Sequence, residues 1–170
     1  LSRAQLLEKR RKKVRKTRQL SDREYYPGEV GQMDVKHWKR KGYQYDIVDC
    51  ATRIKYKRIY PGCNPATTVD FLEHAIRFFA PAFIFKGIRT DNGTEFTYDH
   101  FPQVKLGTEC PTVRWLRKHE IEHLRIPPSS PQLNGRVERS HGVDKDRYRR
   151  LTTNSHTLVE LREFCNEDCL

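Results

Sequence analysis

The stretch Ile126-Pro127-Pro128-Ser129-Ser130-Pro131-Gln132-Leu133-Asn134-Gly135-Arg136-Val137-Glu138-Arg139 joins a proline-rich loop to a basic segment with helical composition. Its prolines and serines cannot continue a helix, so the first half reads as loop. Pro131 has a fixed φ and no N–H, which suits the opening turn of a helix. From there to Arg150 the pattern is helical, with Val137 and Leu151 among its few apolar positions. Glu138 then falls near the start of that helix, and Asn134, four residues earlier, shares its face. A carboxylate among Arg136, Arg139 and His141 is a candidate metal ligand close to phosphate. Taken alone, Glu138 reads first as a solvated side chain on a basic helix.

Two upstream segments change its weight: Gln32-Met33-Asp34-Val35 and Arg89-Thr90-Asp91-Asn92-Gly93-Thr94-Glu95-Phe96. With these in order, the chain resembles the integrase catalytic core of DDE transposases and retroviral integrases. It looks most like the bacterial insertion-sequence transposases that carry this core. The resemblance covers roughly Gly28 to Leu151 and rests on TDNGTEF followed by PPSSPQLNGRVERSH. It implies an α/β, ribonuclease H-like fold: a central mixed five-stranded sheet flanked by helices, here with a basic N-terminal helix.

Phosphodiester transfer needs an activated nucleophile, stabilised charge at phosphorus and a stabilised leaving oxygen. Two divalent ions about 4 Å apart can serve all three needs. Mg²⁺ prefers oxygen ligands and keeps several waters, so a few carboxylates suffice. The resemblance assigns that work to Asp34, Asp91 and Glu138, as catalytic residues and as ligands of two Mg²⁺ ions, with Mn²⁺ able to substitute. Asp34 and Asp91 would hold one ion, Asp34 and Glu138 the other. The implied activity is cleavage of transposon ends and transfer of their 3′-hydroxyls into target DNA. The alternatives are a non-catalytic DNA-binding or assembly module of the same fold, and a metal-dependent nuclease acting on RNA–DNA hybrids.

Charge points the same way. The 170 residues carry 33 Lys+Arg against 22 Asp+Glu, a formal net charge of +11. That excess implies a polyanionic partner, double-stranded DNA first. The expected contacts are Asn134, Arg136, Arg139 and Lys145 on the core and Lys12, Lys13 and Arg15 on the arm. Lys145 stands seven residues after Glu138 and is the better phosphate contact, since Gly142 holds the position where retroviral integrases place a lysine. Joining two DNA ends implies a homo-oligomer, at least a dimer on DNA. No apolar run is long enough to span a bilayer. The chain begins at Leu1, as expected for a fragment of a longer protein. Five cysteines (Cys50, Cys63, Cys110, Cys165, Cys169) lack CxxC spacing and read as free thiols in a reducing compartment, the bacterial cytoplasm at the nucleoid. Retroviral integrases carry a His/Cys zinc module before the core, and its absence here favours the bacterial branch.

In order, residues 1–27 read as a basic helical arm or linker, 28–153 as the core and 154–170 as a C-terminal helix. Strands are expected over Val30–Trp38, Tyr43–Cys50, Arg53–Tyr60, Ala82–Thr90 and Ile121–Ile126, the third with one polar face. Helices are expected over Ala66–Ala80, Val113–His119, Pro131–Arg150 and Thr157–Cys169. Asp91 and Glu138 are 47 positions apart (138 − 91), and the extra residues, compared with retroviral integrases, fall in 96–111. Asp49 is expected to bond backbone at a strand end, Asn92-Gly93 to form the turn that aims Asp91, and Glu95 to anchor that loop. Asn134-Gly135 has the parallel role for Glu138. His37 should face away from Asp34, and His119, His123 and His141 lack metal-binding spacing.

Overall fold

The computed structural model describes residues 5, 24–38, 42–98, 107–127, 133 and 135–151, the last with side chains through 144. The arm with Lys12, Lys13 and Arg15, the expected 154–170 helix, Asn134, the Lys145 side chain and residues 99–106 of the 96–111 segment lie outside the described residues.

Strands β1 (Val30–His37), β2 (Tyr43–Asp49) and β3 (Lys55–Tyr60) form an antiparallel meander. Helix α1 (Pro65–Phe79) crosses to β4 (Gly87–Thr90), which pairs parallel to β1. Helix α2 (Pro111–Lys118) leads to β5 (Glu122–Arg125), parallel to β4. Helix α3 (Gly135–Leu151) follows. The sheet order is β3-β2-β1-β4-β5, the expected mixed five-stranded, ribonuclease H-like arrangement. Among the described residues no helix is long and apolar enough to cross a membrane.

Strand alternation divides the sheet into two unlike faces. Met33, Tyr45 and Ile47 face α1 and α2, where Phe71, Leu72, Ala75, Phe79, Trp115 and Leu116 complete an apolar core. Gln32, Asp34 and Lys36 of β1, Gln44 and Asp46 of β2, and Lys55 and Lys57 of β3 occupy the alternate positions. Bonds from several of them to Leu133, His141 and Asp144 place α3 over this polar face.

Local chemistry sets the element ends. Asn64 caps α1 by accepting from the Thr67 amide at 3.0 Å, and Pro65 opens the helix. Asp49 closes the β2–β3 turn, as expected: Oδ2 accepts from the Thr52 amide (2.7 Å) and hydroxyl (2.8 Å), and Oδ1 accepts from the Gly28 amide (3.1 Å).

Several boundaries differ from expectation by one to five residues, and three of them have a visible cause. The third strand begins at Lys55 rather than Arg53, because Arg53 sits in that turn at φ +67°. The fourth begins at Gly87 rather than Ala82: the amides of Ala82 and Phe83 bond back to the Phe79 carbonyl, and the rings of Phe83 and Phe85 pack on Phe79. Apolar side chains there serve the helix end instead of a ladder. Helix α3 begins at Gly135, four residues beyond Pro131. Leu133 is buried, and its carbonyl accepts a hydrogen bond from the Gln32 side chain, which pins the chain to β1 just before the helix.

Candidate active site

The parallel register of β1 and β4 brings the first two carboxylates together. Gln32 pairs with Arg89, and Asp34 and Asp91 each lie two residues further along. They therefore fall side by side where β4 ends, on the same sheet face. Such carboxyl ends of parallel strands are where open α/β sheets place ligands. Glu138 approaches from above, in the first turn of α3. That position suits a carboxylate, since the N-terminal end of a helix is its positive end. The three sense one another: Asp91 and Glu138 both push the Asp34 carboxyl upward.

Asp34 is the most buried of the three, with its side chain 18% exposed, whereas Asp91 and Glu138 are exposed. Burial is the largest influence and raises its pKa. The charge of His141 and a hydrogen bond from the Val35 amide (2.9 Å) oppose this, and the balance is a pKa of about 6 against an ordinary 3.8. A carboxyl raised in this way favours folding while protonated. That contribution is present below pH 3.8 and is lost as pH rises through about 6. At neutral pH the charge of Asp34 therefore opposes folding, by ~3 kcal/mol if the full displacement counts. Asp34→Asn should accordingly raise the stability of the metal-free protein at pH 7.5 by roughly 1–3 kcal/mol, with the difference vanishing near pH 4. Melting curves of both proteins at the two pH values check this, and equal stability at pH 7.5 would remove the burial argument.

His141 lies one turn after Glu138, between two carboxylates. Its Nε2 is 2.9 Å from Asp46 Oδ2 and its Nδ1 is 3.6 Å from Asp34 Oδ2. Asp46 and Asp34 are direct cross-strand partners in β1–β2 and share a face, a placement that would be repulsive without a group between them. The His141 backbone carbonyl accepts from Lys36 Nζ at 2.8 Å, so the same residue fastens α3 to β1. Metal-ligand spacing gave no sign of this role.

Around Asp91 the turn behaves as the sequence predicts. Asp91 Oδ1 accepts from the Gly93 amide at 3.0 Å. Asn92 Nδ2 donates to the Ile126 carbonyl at 2.9 Å, tying the turn to the end of β5. A Cβ on Gly93 would lie 2.6 Å from Glu95 Oε2, so a larger residue there would displace the end of that carboxylate side chain. The Glu95 carbonyl accepts from Thr112 Oγ1 at 2.7 Å, anchoring the loop to α2. Thr90 Oγ1 lies 2.9 Å from His123 Nε2, beside the turn.

Beneath α3 the polar face is sealed by pairing. Asp144, 3% exposed, accepts from Gln44 Nε2 (2.7 Å) and Lys55 Nζ (2.7 Å) and lies 3.6 Å from Lys57 Nζ, itself 1% exposed. Gln44 also donates to both Asp46 oxygens, at 2.8 and 2.9 Å, and accepts from Trp38 Nε1 at 2.8 Å. Burial alone would raise the Asp144 carboxyl; the hydrogen bond and charge of Lys55, the charge of Lys57 and the Gln44 bond outweigh it and lower the pKa.

Among the predicted site residues, Asp34, Asp91 and Glu138 come together, and Arg136 and Arg139 flank Glu138 on α3. Arg136 also packs over the Tyr25 ring, which accepts a bond from Arg89 at 3.0 Å, two residues before Asp91. Lys145 follows on α3. His37 stacks edge-on against Tyr43, on the face away from Asp34. Among the described residues no three His, Cys, Asp or Glu side chains are grouped closely enough to hold a metal ion as they stand. The donors of Asp34, Asp91 and Glu138 are oxygens in a partly open site, the kind Mg²⁺ takes when waters complete its shell.

The Integrase core domain family model matches residues 24–131, which takes in Asp34 and Asp91 and ends before Glu138. The integrase-type ORF3 protein of Spiroplasma virus SpV1-C74 is 33% identical over 129 residues, 69% of this chain and 36% of that protein. An uncharacterized 39.2 kDa protein of insertion element IS476 from Xanthomonas euvesicatoria is 29% identical over 112 residues, 60% of this chain and 29% of its own length. The chain thus spans only about a third of these relatives. In structure it is similar to the HTLV-2 integrase catalytic core domain solved in complex with magnesium in a trimeric form. The TM-score is 0.62 at 20% identity, over 84% of this chain and 85% of the other. With the family model covering most of its length, this chain belongs to the integrase core domain family.

Proposed function

We propose that this chain is the catalytic core of a DNA transposase that cuts element ends and joins the freed 3′-hydroxyls to target DNA in the bacterial cytoplasm. The observation that carries the reading is the β1–β4 register, which sets Asp34 beside Asp91 under Glu138. In this reading Asp34 is shared between two Mg²⁺ ions, Asp91 completing one site and Glu138 the other; once bound, the ions supply Lewis-acid stabilisation and a more acidic attacking hydroxyl. The chain's own part is to hold three carboxylates whose mutual repulsion a cation relieves. His141 and the Val35 amide orient Asp34, the Gly93 amide orients Asp91, and the first turn of α3 presents Glu138. Arg136 and Arg139, extended by Asn134, Lys145 and the arm's Lys12, Lys13 and Arg15, contact backbone phosphates. Two ends joined in one event require at least two copies on DNA.

The test is a strand-joining assay with a pre-cut element-end duplex and a supercoiled target. Joined product should form with Mg²⁺ or Mn²⁺ and disappear with a chelator. Product formed equally in chelator would sink the metal assignment, and no product from the full-length protein would sink the transposase reading. Binding should also be strongly salt-dependent. Neutralising about five phosphates weakens affinity roughly 500-fold between 50 and 200 mM salt. A flat salt profile would show that the basic residues do not carry the binding.

A further inference from the structure

Helix α3 has a second working flank. Val137, His141 and Asp144 recur at four- and three-residue spacing and form the stripe turned to the sheet. Glu138 lies on one side of that stripe. Arg136, Arg139, Ser140 and Val143, spaced i, i+3, i+4 and i+7, lie on the other. There the helix and the β2–β3 end flank a half-open cleft of about 700 Å³. Four cationic side chains line it: Arg53, Lys55, Arg136 and Arg139. Among the described residues that line it there is no carboxylate, and its floor is apolar, from Val48 and Leu133. Lys55 is held by Asp144 and Arg136 packs over Tyr25, so both side chains are fixed in position beside the cleft.

Arg53 supplies an independent sign. It holds φ +67°, left-handed backbone that a side-chain-bearing residue adopts only at a cost and that glycine adopts freely. An arginine kept at a position where glycine would relieve strain, and lining an unusually cationic cleft, points to a use for its guanidinium.

We propose that this cleft binds one unpaired nucleotide of the DNA substrate, its phosphate on the arginines and its sugar and base on the apolar floor. Guanidinium groups suit phosphate oxygens, and the apolar floor suits a sugar or base face. The volume suits a single nucleotide, whereas a duplex is too wide to enter. Across a helix about 10 Å thick, and at a rise of about 3.4 Å per nucleotide in one strand, the bound nucleotide lies roughly three positions from the reacting phosphate. The proposal rests on the DNA-joining reading and adds to it a strand-end subsite on the flank opposite Glu138.

The test is fluorescence anisotropy in chelator with the whole chain, so that no chemistry intervenes. The probes are a blunt duplex, the same duplex with a three-nucleotide single-stranded overhang, and free deoxyadenosine monophosphate as competitor. The overhang should bind roughly tenfold tighter than the blunt end. Arg53→Gly should erase that difference while melting no lower than wild type, because it removes backbone strain along with the cation. Arg53→Lys should restore part of it. Equal binding of overhang and blunt duplexes overturns the proposal, as does a preference that survives Arg53→Gly. Millimolar free nucleotide should erase the overhang preference, and inorganic phosphate erasing it equally well overturns the proposal, in favour of a small-anion site. A chain that prefers overhangs through Arg53 but never joins DNA would refute the transposase reading and leave the subsite standing.

Discussion

Asp34→Asn, Asp91→Asn and Glu138→Gln should each reduce strand joining by about 10³-fold or more, a loss of ~4 kcal/mol of transition-state stabilisation, with DNA binding changed only a few-fold. Each replacement keeps the shape of the side chain and removes one charge. The three differ in what else they touch, and that makes the series informative. Glu138 is exposed in the first turn of α3, so its effect should fall on chemistry and not on stability. Asp91 Oδ1 accepts from the Gly93 amide, a bond that an asparagine oxygen can keep, so the turn should survive. Asp34→Asn should be more stable than wild type at pH 7.5 and yet inactive, because the charge that burial opposes is the one the chemistry requires. Joining measured with Mg²⁺ and with Mn²⁺, beside binding in chelator, separates these effects. A variant that retains more than about a tenth of wild-type joining would remove its residue from the site.

Much of this site can be read from the chain before any coordinates. Asp91 sits at the end of an apolar run and before Asn-Gly, a strand end followed by a turn, and the structure has both. Alternation in Lys55–Tyr60 correctly gives a strand with one polar face. The pairing of β1 with β4 is not legible from local pattern, because parallel neighbours are set by the crossover through α1; the resemblance implied only that Asp34, Asp91 and Glu138 work together. The fate of the polar face is also hidden. Lys55 and Lys57 alternate with Tyr56 as a solvated strand would. The signal that distinguishes them is spread over three strands, where Gln32, Asp34, Lys36, Gln44 and Asp46 stand at matching positions and α3 offers Asp144 and His141 in return. Weighing histidines by metal spacing misses His141, whose partners are carboxylates.

The same polar floor explains how so charged a helix is held. Among the described residues of α3, Val137 is the sole buried apolar side chain, so area burial alone cannot fix the helix on the sheet. Asp144 does this with directional bonds to Gln44 and Lys55 and a contact with Lys57. Asp144→Ala should therefore cost roughly 3–5 kcal/mol, the usual result when one partner of a buried pair is removed. Lys55, 21% exposed, can turn toward water, whereas Lys57, at 1%, loses one of its charge contacts where solvent does not reach. A second substitution tests that origin. Asp144→Leu combined with Lys57→Met removes both charges and fills the space with apolar groups, and should recover most of the loss. Acid gives a further check with a definite sign. The pKa of Asp144 is lowered by folding, so its contribution is present above pH 3.8 and is lost as pH falls through its folded value, opposite to Asp34. Hydrogen exchange should show the α3 amides losing protection first in Asp144→Ala, and β4 and β5 last, because Glu138 is carried by the element this network anchors. A cost below ~1 kcal/mol, within the range of exposed pairs, or uniform loss of protection across the sheet, would place the anchor of the catalytic helix elsewhere.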